Sequence, residues 1–416
     1  MDRLEFKNKF YVNILTLITG TTIAQVIHII LSPLLTRIYK PEDFGIYSVF
    51  NSIVAVISLF STGKYEMAIM LPKNNKQSFD LVRLSLILSA VTCIFIFFVF
   101  FIFSKSIFTI LNTKQLSNYW FLIPTAVFLF SVYVIYTNFF TREQKFKIVS
   151  LNKIFQSLIL GITQVLFGKF SFRFLGLIYG FIISYLIGIF LFIRHINTKI
   201  SFSFYNVKRS IVVAKEYIRL PKYELLHSSI DILHNYGVIF LIAYFYSTKE
   251  VGYFALATRI LSLPISIIGS SISQVFYSYA SKNKQFLKEI TLNVLEKLIL
   301  ISIIPFPLLY VFANRLLPFV FGKEWIDLDK VVKALCFWLA IRLISSPLST
   351  IPLIVNKQRN WLYIGILYNI LIFGMIFLLG ISKVDFYHSI LYTFLTAGIF
   401  LVYVVYWLVK QTEVKQ

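Results

Sequence analysis

The sequence predicts an all-α integral membrane protein of about 12 transmembrane helices, arranged as two parallel six-helix bundles. Three observations carry this. The chain is 58% hydrophobic with a mean hydropathy of +0.79, and only 14% of its residues are charged, against roughly 25% in soluble domains. Apolar runs near the length needed to cross a bilayer alternate with short charged intervals. Several short patterns also return about half a chain later in unchanged order.

Cutting the chain at its charges yields twelve candidate spans, at residues 11–37, 44–63, 84–104, 117–141, 154–168, 174–193, 225–248, 251–280, 292–312, 334–355, 361–381 and 386–409. The first follows a basic N-terminus and lacks charge from Phe10 to Thr36. That is longer than a secretory h-region, so it is expected to stay as a membrane helix. The fifth is the shortest, bounded by Lys153 and Lys169. Counting Lys and Arg in alternate loops, with Arg37 and Lys297 assigned to the loops nearest them, gives 26 on the side of the N-terminus and 12 on the other, so the positive-inside rule places both termini in the cytoplasm. The net charge of +22 is scattered between apolar runs, which argues against a nucleic-acid face. Cys93 and Cys336 both fall inside apolar runs and read as lipid-facing or packing residues, neither a disulfide nor a metal site.

The longest polar interval, residues 194–222, divides the chain near its middle into bundles 1–205 and 206–416. Its lysines and arginines suit a solvated linker that attracts anionic headgroups, or a landing site for a phosphorylated substrate. The stretch from Tyr39 to Tyr47 resembles that from Tyr246 to Phe254 at an offset of 207; Ile107–Asn112 resembles Leu317–Gly322 at 210; Thr141–Phe146 resembles Val355–Asn360 at 214. Parallel repeats of six spans form a transporter plan.

Helical spacing then selects polar stripes. In the first span these are Thr21, Gln25, His28, Ser32 and Thr36; in the second, Ser48, Ser52 and Thr62, ending at Lys64; in the seventh, Glu224, His227, Asp231, His234 and Asn235; in the eighth, Arg259, Ser262, Ser266, Ser270 and Ser273. Serines and threonines in a membrane helix more often bond their own backbone or a neighbouring helix than a ligand. An arginine at depth is more telling, because it stays charged at any working pH. Arg259 is expected to contact a substrate anion or to pair with Asp231 or Glu224, with Arg342 a weaker candidate of the same kind. Arg37 can snorkel from the end of the first span, and Lys64 can pair locally with Glu66. The set Asp231, Glu224, His227 and His234 could exchange a proton or hold a sodium ion, or form salt bridges. Pro264 and Gly269 mark a candidate hinge. Gly176, Gly180, Ser184 and Gly188 form a small-residue face expected to pack tightly. No phosphate-binding GxxxxGK[ST] loop, zinc pattern or nucleophile elbow is present, so no cofactor or enzymatic step is expected.

The segments Thr19–Gln25, Ser32–Gly45 and Thr62–Pro72 resemble the N-terminal signature of Wzx-type O-antigen and capsule flippases of the multidrug/oligosaccharidyl-lipid/polysaccharide exporter superfamily. The resemblance implies a MATE-like fold, with spans one, two, seven and eight around a cationic cavity. It implies export of an undecaprenyl-pyrophosphate-linked oligosaccharide across the bacterial cytoplasmic membrane, with membrane lipids and polysaccharide polymerase or chain-length machinery as partners. Arg37 and Lys64 fall on basic positions of the family pattern. Gln25, His28, Ser52, Ser266 and Ser270 would then face the sugar, beside Arg259 and Arg342. The competing readings are a drug/cation antiporter of the same superfamily, which calls for an acidic cavity, and a membrane-embedded polymerase, which calls for a long outer loop.

Overall fold

A computed structural model describes residues 3–196, 204–218 and 220–413, with side chains from residue 16 onward except those of 204–206, Tyr223, Leu226, His227, Leu263 and Pro264. The helices are α1 (Arg3–Ile38), α2 (Pro41–Ser61), α3 (Tyr65–Ala68), α4 (Asn75–Ile110), α5 (Leu122–Arg142), α6 (Phe146–Lys169), α7 (Phe174–Ile193), α8 (Phe204–Glu216), α9 (Leu225–Phe245), α10 (Thr248–Lys282), α11 (Leu287–Ile303), α12 (Pro305–Phe321), α13 (Leu328–Leu348), α14 (Ile351–Ile354), α15 (Gln358–Ile381) and α16 (Phe386–Gln411). Among the described residues, twelve helical stretches are long and apolar enough to cross a membrane, matching the expected number and order.

Several spans differ from the reading by charge, and three of them do so for a visible reason. Lys153 lies inside the fifth span, since its Nζ donates to Thr21 Oγ1 at 3.1 Å. The third span starts a full turn or more before residue 84, because Asp80 and Arg83 neutralise one another within α4. The ninth is broken at Ile304, where Pro305 and Pro307 remove two backbone donors.

By contacts the chain forms two compact units, Met1–Ala243 and Tyr244–Gln416. The expected division at 205/206 lies earlier. The difference arises because α8 packs on α4, and the wide helical turn Leu220–Glu224 packs on α3.

Helix ends reveal the duplication more sharply than sequence did. Asn112 and Gly322 both have left-handed φ, at 52° and 97°; so do Gln144 and Asn356, at 56° and 57°, and Ser171 and Lys383, at 60° and 55°. Left-handed residues terminate helices. The pair Gln144/Asn356 gives an offset of 212, correcting the 214 read from sequence, and α6 and α15 begin and end at this same offset.

Each unit is also closed by a tyrosine at the turn between its first two helices. In the first, the Tyr39 hydroxyl donates to the Gln164 carbonyl at 2.6 Å, and Asp43 accepts the Phe174 N–H at 3.0 Å, tying the start of α2 to α6 and α7. In the second, Tyr246 donates to the Val384 carbonyl at 3.2 Å, and Glu250 caps α10 by accepting the Ser247 N–H at 2.6 Å. The small face of α7 packs as expected, Gly180 against Gln164 and Gly188 against Tyr133. At Gly176 a β-carbon would overlap the Tyr39 hydroxyl. Gly176→Ala is therefore expected to displace Tyr39 and cost about 1–3 kcal/mol, read as a lower unfolding temperature of the detergent-solubilised protein, with Tyr39→Phe losing less.

Candidate functional site

The second helix ends in a turn that the sequence builds from two consecutive left-handed residues, Gly63 at φ 56° and Lys64 at φ 64°. Glycine adopts this freely, whereas for lysine it is uncommon and marks a held conformation. The turn brings Lys64 Nζ to 4.0 Å from Glu66 Oε1, with the two side chains only 16% and 9% exposed. The Thr62 hydroxyl donates to the other Glu66 oxygen. Around this pair lies a cavity of about 240 Å³, walled by Ala55, Ser58 and Leu59 of α2, Phe130, Ser131 and Val134 of α5, and Ile232 and Tyr236 of α9. Ser61 and Ser131 share a hydrogen bond at 2.6 Å behind it. The buried Ser58 hydroxyl has no partner among the described residues. A small, partly polar cavity with one cation and one carboxylate can exchange an ion pair for a bound anion or a proton.

Burial pushes the Glu66 carboxyl above its ordinary value of 4.5, against the pull of the Thr62 hydroxyl and the Lys64 ammonium. The folded chain then holds this proton more tightly than the unfolded chain does. The stability Glu66 contributes is full below about pH 4.5 and is lost as pH rises through the folded value. Glu66→Gln is expected to remove that component, so thermal unfolding of the purified variant should vary less from pH 4.5 upward than that of the wild type.

The other candidates are distributed differently. Ser52 is fully buried and donates to the Ser48 carbonyl, so its hydroxyl serves its own helix. Most of the stripe on the first span is a seam between helices: His28 meets Ser157 at 3.2 Å, Ser32 and Thr36 bond carbonyls of α1, and Thr21 receives Lys153. Polarity alone could not distinguish this seam from a cavity wall. Gln25 is half-exposed and Arg37 exposed. On α9, Asp231 is exposed and His234 half-buried, on a different face from Ile232 and Tyr236, while Glu224 is half-buried in the preceding turn. The side chains of His227 and Pro264 lie outside those described.

In the second unit, Arg259 is half-buried on α10, with Ser266 and Ser270 exposed about two and three turns further on. Arg342 on α13 stacks over Trp338 at 5.0 Å, and Trp338 donates to the Tyr368 hydroxyl at 2.5 Å. A guanidinium on an indole face is held without a carboxylate. Gly269 is buried where α10 meets α13, and a β-carbon there would lie 2.9 Å from Ser346 Oγ. This gives Gly269 a packing role, and α10 runs unbroken past it.

One cluster was missed by sequence reading. Asp80 and Arg83 are 1% and 3% exposed. Arg209 of α8 grips Asp80 with both arms, Nε to Oδ2 at 2.6 Å and Nη2 to Oδ1 at 2.9 Å, and Arg83 bonds the same carboxylate at 2.8 Å. The spacing of Asp80 and Arg83 signals a local pair, but nothing local points to Arg209.

The sequence profile described as polysaccharide biosynthesis protein matches residues 34–330. No curated protein matches the chain. Among solved structures, the lipid II flippase MurJ in an inward closed conformation is similar with a TM-score of 0.76 at 15% identity, covering 94% of this chain and 87% of that one. An inward-facing multidrug resistance MATE family transporter of the MOP superfamily has a TM-score of 0.70 at 16% identity, covering 98% and 99%. A MOP superfamily transporter from Pyrococcus furiosus, described by the reverse polarity of its binding pocket, has a TM-score of 0.59 at 13% identity, covering 97% and 96%. At these identities the likeness carries the fold, that of the MOP transporters.

Proposed function

We propose, from the premise that this chain belongs to the polysaccharide biosynthesis protein family, that it flips an undecaprenyl-pyrophosphate-linked oligosaccharide across the bacterial cytoplasmic membrane by alternating access, with both termini cytoplasmic. The observation that carries this reading is the Lys64–Glu66 pair in its cavity, within the matched stretch. A pyrophosphate is a dense anion, and a desolvated ammonium is a natural contact for it. Protonation of Glu66 would release Lys64 from its partner, so one proton would bind together with one substrate phosphate. Arg259 and Arg342 are further candidate contacts for the substrate anion, and Gln25, Ser266 and Ser270 for the sugar. O-antigen or capsule repeat units are both substrates of this chemistry.

Glu66 also supports the runner-up, a cation antiporter, since a buried carboxylate can hold a cation. The test separates the two. The protein is reconstituted with undecaprenyl-pyrophosphate-linked oligosaccharide shielded in the inner leaflet of liposomes, and its exposure to added glycosidase is followed under proton and sodium gradients. Faster exposure than in empty liposomes is expected. Exposure equal to that in empty liposomes, while a control flippase works and cationic dyes are expelled, would sink the flippase reading.

A further inference from the structure

Helix α8 lies outside the twelve membrane-crossing stretches, yet it displays large aliphatic side chains, Ile211 52% and Val212 63% exposed. Its other face is fastened to the first unit. Ser210 and Val213 are buried, Arg209 grips Asp80 near the start of α4, and the Tyr65 hydroxyl donates to the Ala214 carbonyl at 3.2 Å. The helix is thus held beside the end of a membrane-crossing helix with its outward face fixed.

That face combines two chemistries. Lys208, Val212 and Lys215, at spacings of four and three, share one stripe, with Ile211 beside it, and both lysines are exposed. Such a stripe suits neither a core nor a surface bathed in water on all sides. It suits a bilayer interface, where aliphatic groups enter the acyl boundary and ammonium groups reach headgroup phosphates. We infer that α8 is an interfacial helix that docks on anionic phospholipid, its lysines selecting charged headgroups over zwitterionic ones. The inference rests on the membrane orientation proposed above. Two lysines at the surface correspond to roughly a thirtyfold preference for anionic lipid.

The test labels the full chain with an environment-sensitive fluorophore at Val212→Cys, in a Cys93→Ala/Cys336→Ala background, and measures quenching by spin-labelled phosphatidylglycerol or phosphatidylcholine in liposomes. Quenching by phosphatidylglycerol at roughly thirtyfold lower mole fraction is expected, with the preference lost in Lys208→Gln/Lys215→Gln. Equal quenching by the two lipids would overturn the inference. So would a label quenched only by aqueous iodide, which would assign the face to a soluble partner. The native chain supplies a second route that needs no cysteine exchange. Phosphatidylglycerol added to micelles should raise its unfolding temperature, phosphatidylcholine should not, and the double Gln variant should lose the rise; an equal response to both lipids counts against docking. None of these readouts involves the oligosaccharide, so a failure of lipid docking and a failure of flipping are told apart.

Discussion

Asp80→Ala is expected to destabilise the protein by about 3–5 kcal/mol, the cost of removing one partner from a buried ion pair. The carboxylate accepts from two guanidinium groups and is itself 1% exposed. Its loss takes the bonded carboxylate from Arg83, a guanidinium only 3% exposed, whose remaining contacts include the Ser210 hydroxyl at 3.2 Å. Arg209→Ala should cost less, about 1 kcal/mol, because the side chain of Arg209 is 37% exposed and solvent screens it. The double variant should fall short of the sum, since both changes break the same bonds. Thermal unfolding in detergent across the four-member cycle measures this. Equal losses for Asp80→Ala and a surface control such as Lys76→Ala would show that the cluster does not hold α8.

Lys64→Ala should reduce flipping at least tenfold per folded protein, because a charged hydrogen bond contributes about 1.5–3 kcal/mol. Lys64→Arg should retain most activity, the guanidinium serving a phosphate as well as an ammonium does. The informative variant is Lys64→Ala/Glu66→Gln. If Glu66 merely holds Lys64 in place, removing both should be no worse than removing Lys64. If Glu66 also carries the coupling proton, the double variant should lose the response of flipping rate to a pH gradient as well. Initial rates of glycosidase exposure, with and without the gradient, distinguish the two.

The span pattern was legible because lipid imposes it: every crossing segment must be long, apolar and helical to satisfy its own backbone. Charges inside spans misled the reading where partners came from elsewhere. Lys153 reads as a border until Thr21 is beside it, and Arg83 reads as loop until Asp80 and Ser210 are. The stripe logic singled out Lys64, which lines a cavity, together with Ser52 and His28, whose bonds run within α2 and to α6. A hydroxyl at helical spacing has the same signature whether it faces a neighbour or a cavity. The walls contributed by α5 and α9 to the Lys64 cavity were not legible at all, because Ser131 and Tyr236 are placed by packing between distant segments.

The tyrosine closures have a consequence for how the chain is made. Tyr39 meets its acceptor 125 residues downstream, and Tyr246 meets its own 138 residues downstream. Contacts of such long range close late, after the loop between them has been ordered. During synthesis, then, the opening hairpin of each half must enter the bilayer and wait, its clasp unfastened, until the last hairpin of that half leaves the ribosome. The first half can lock before the second has been translated, so each unit can mature on its own schedule.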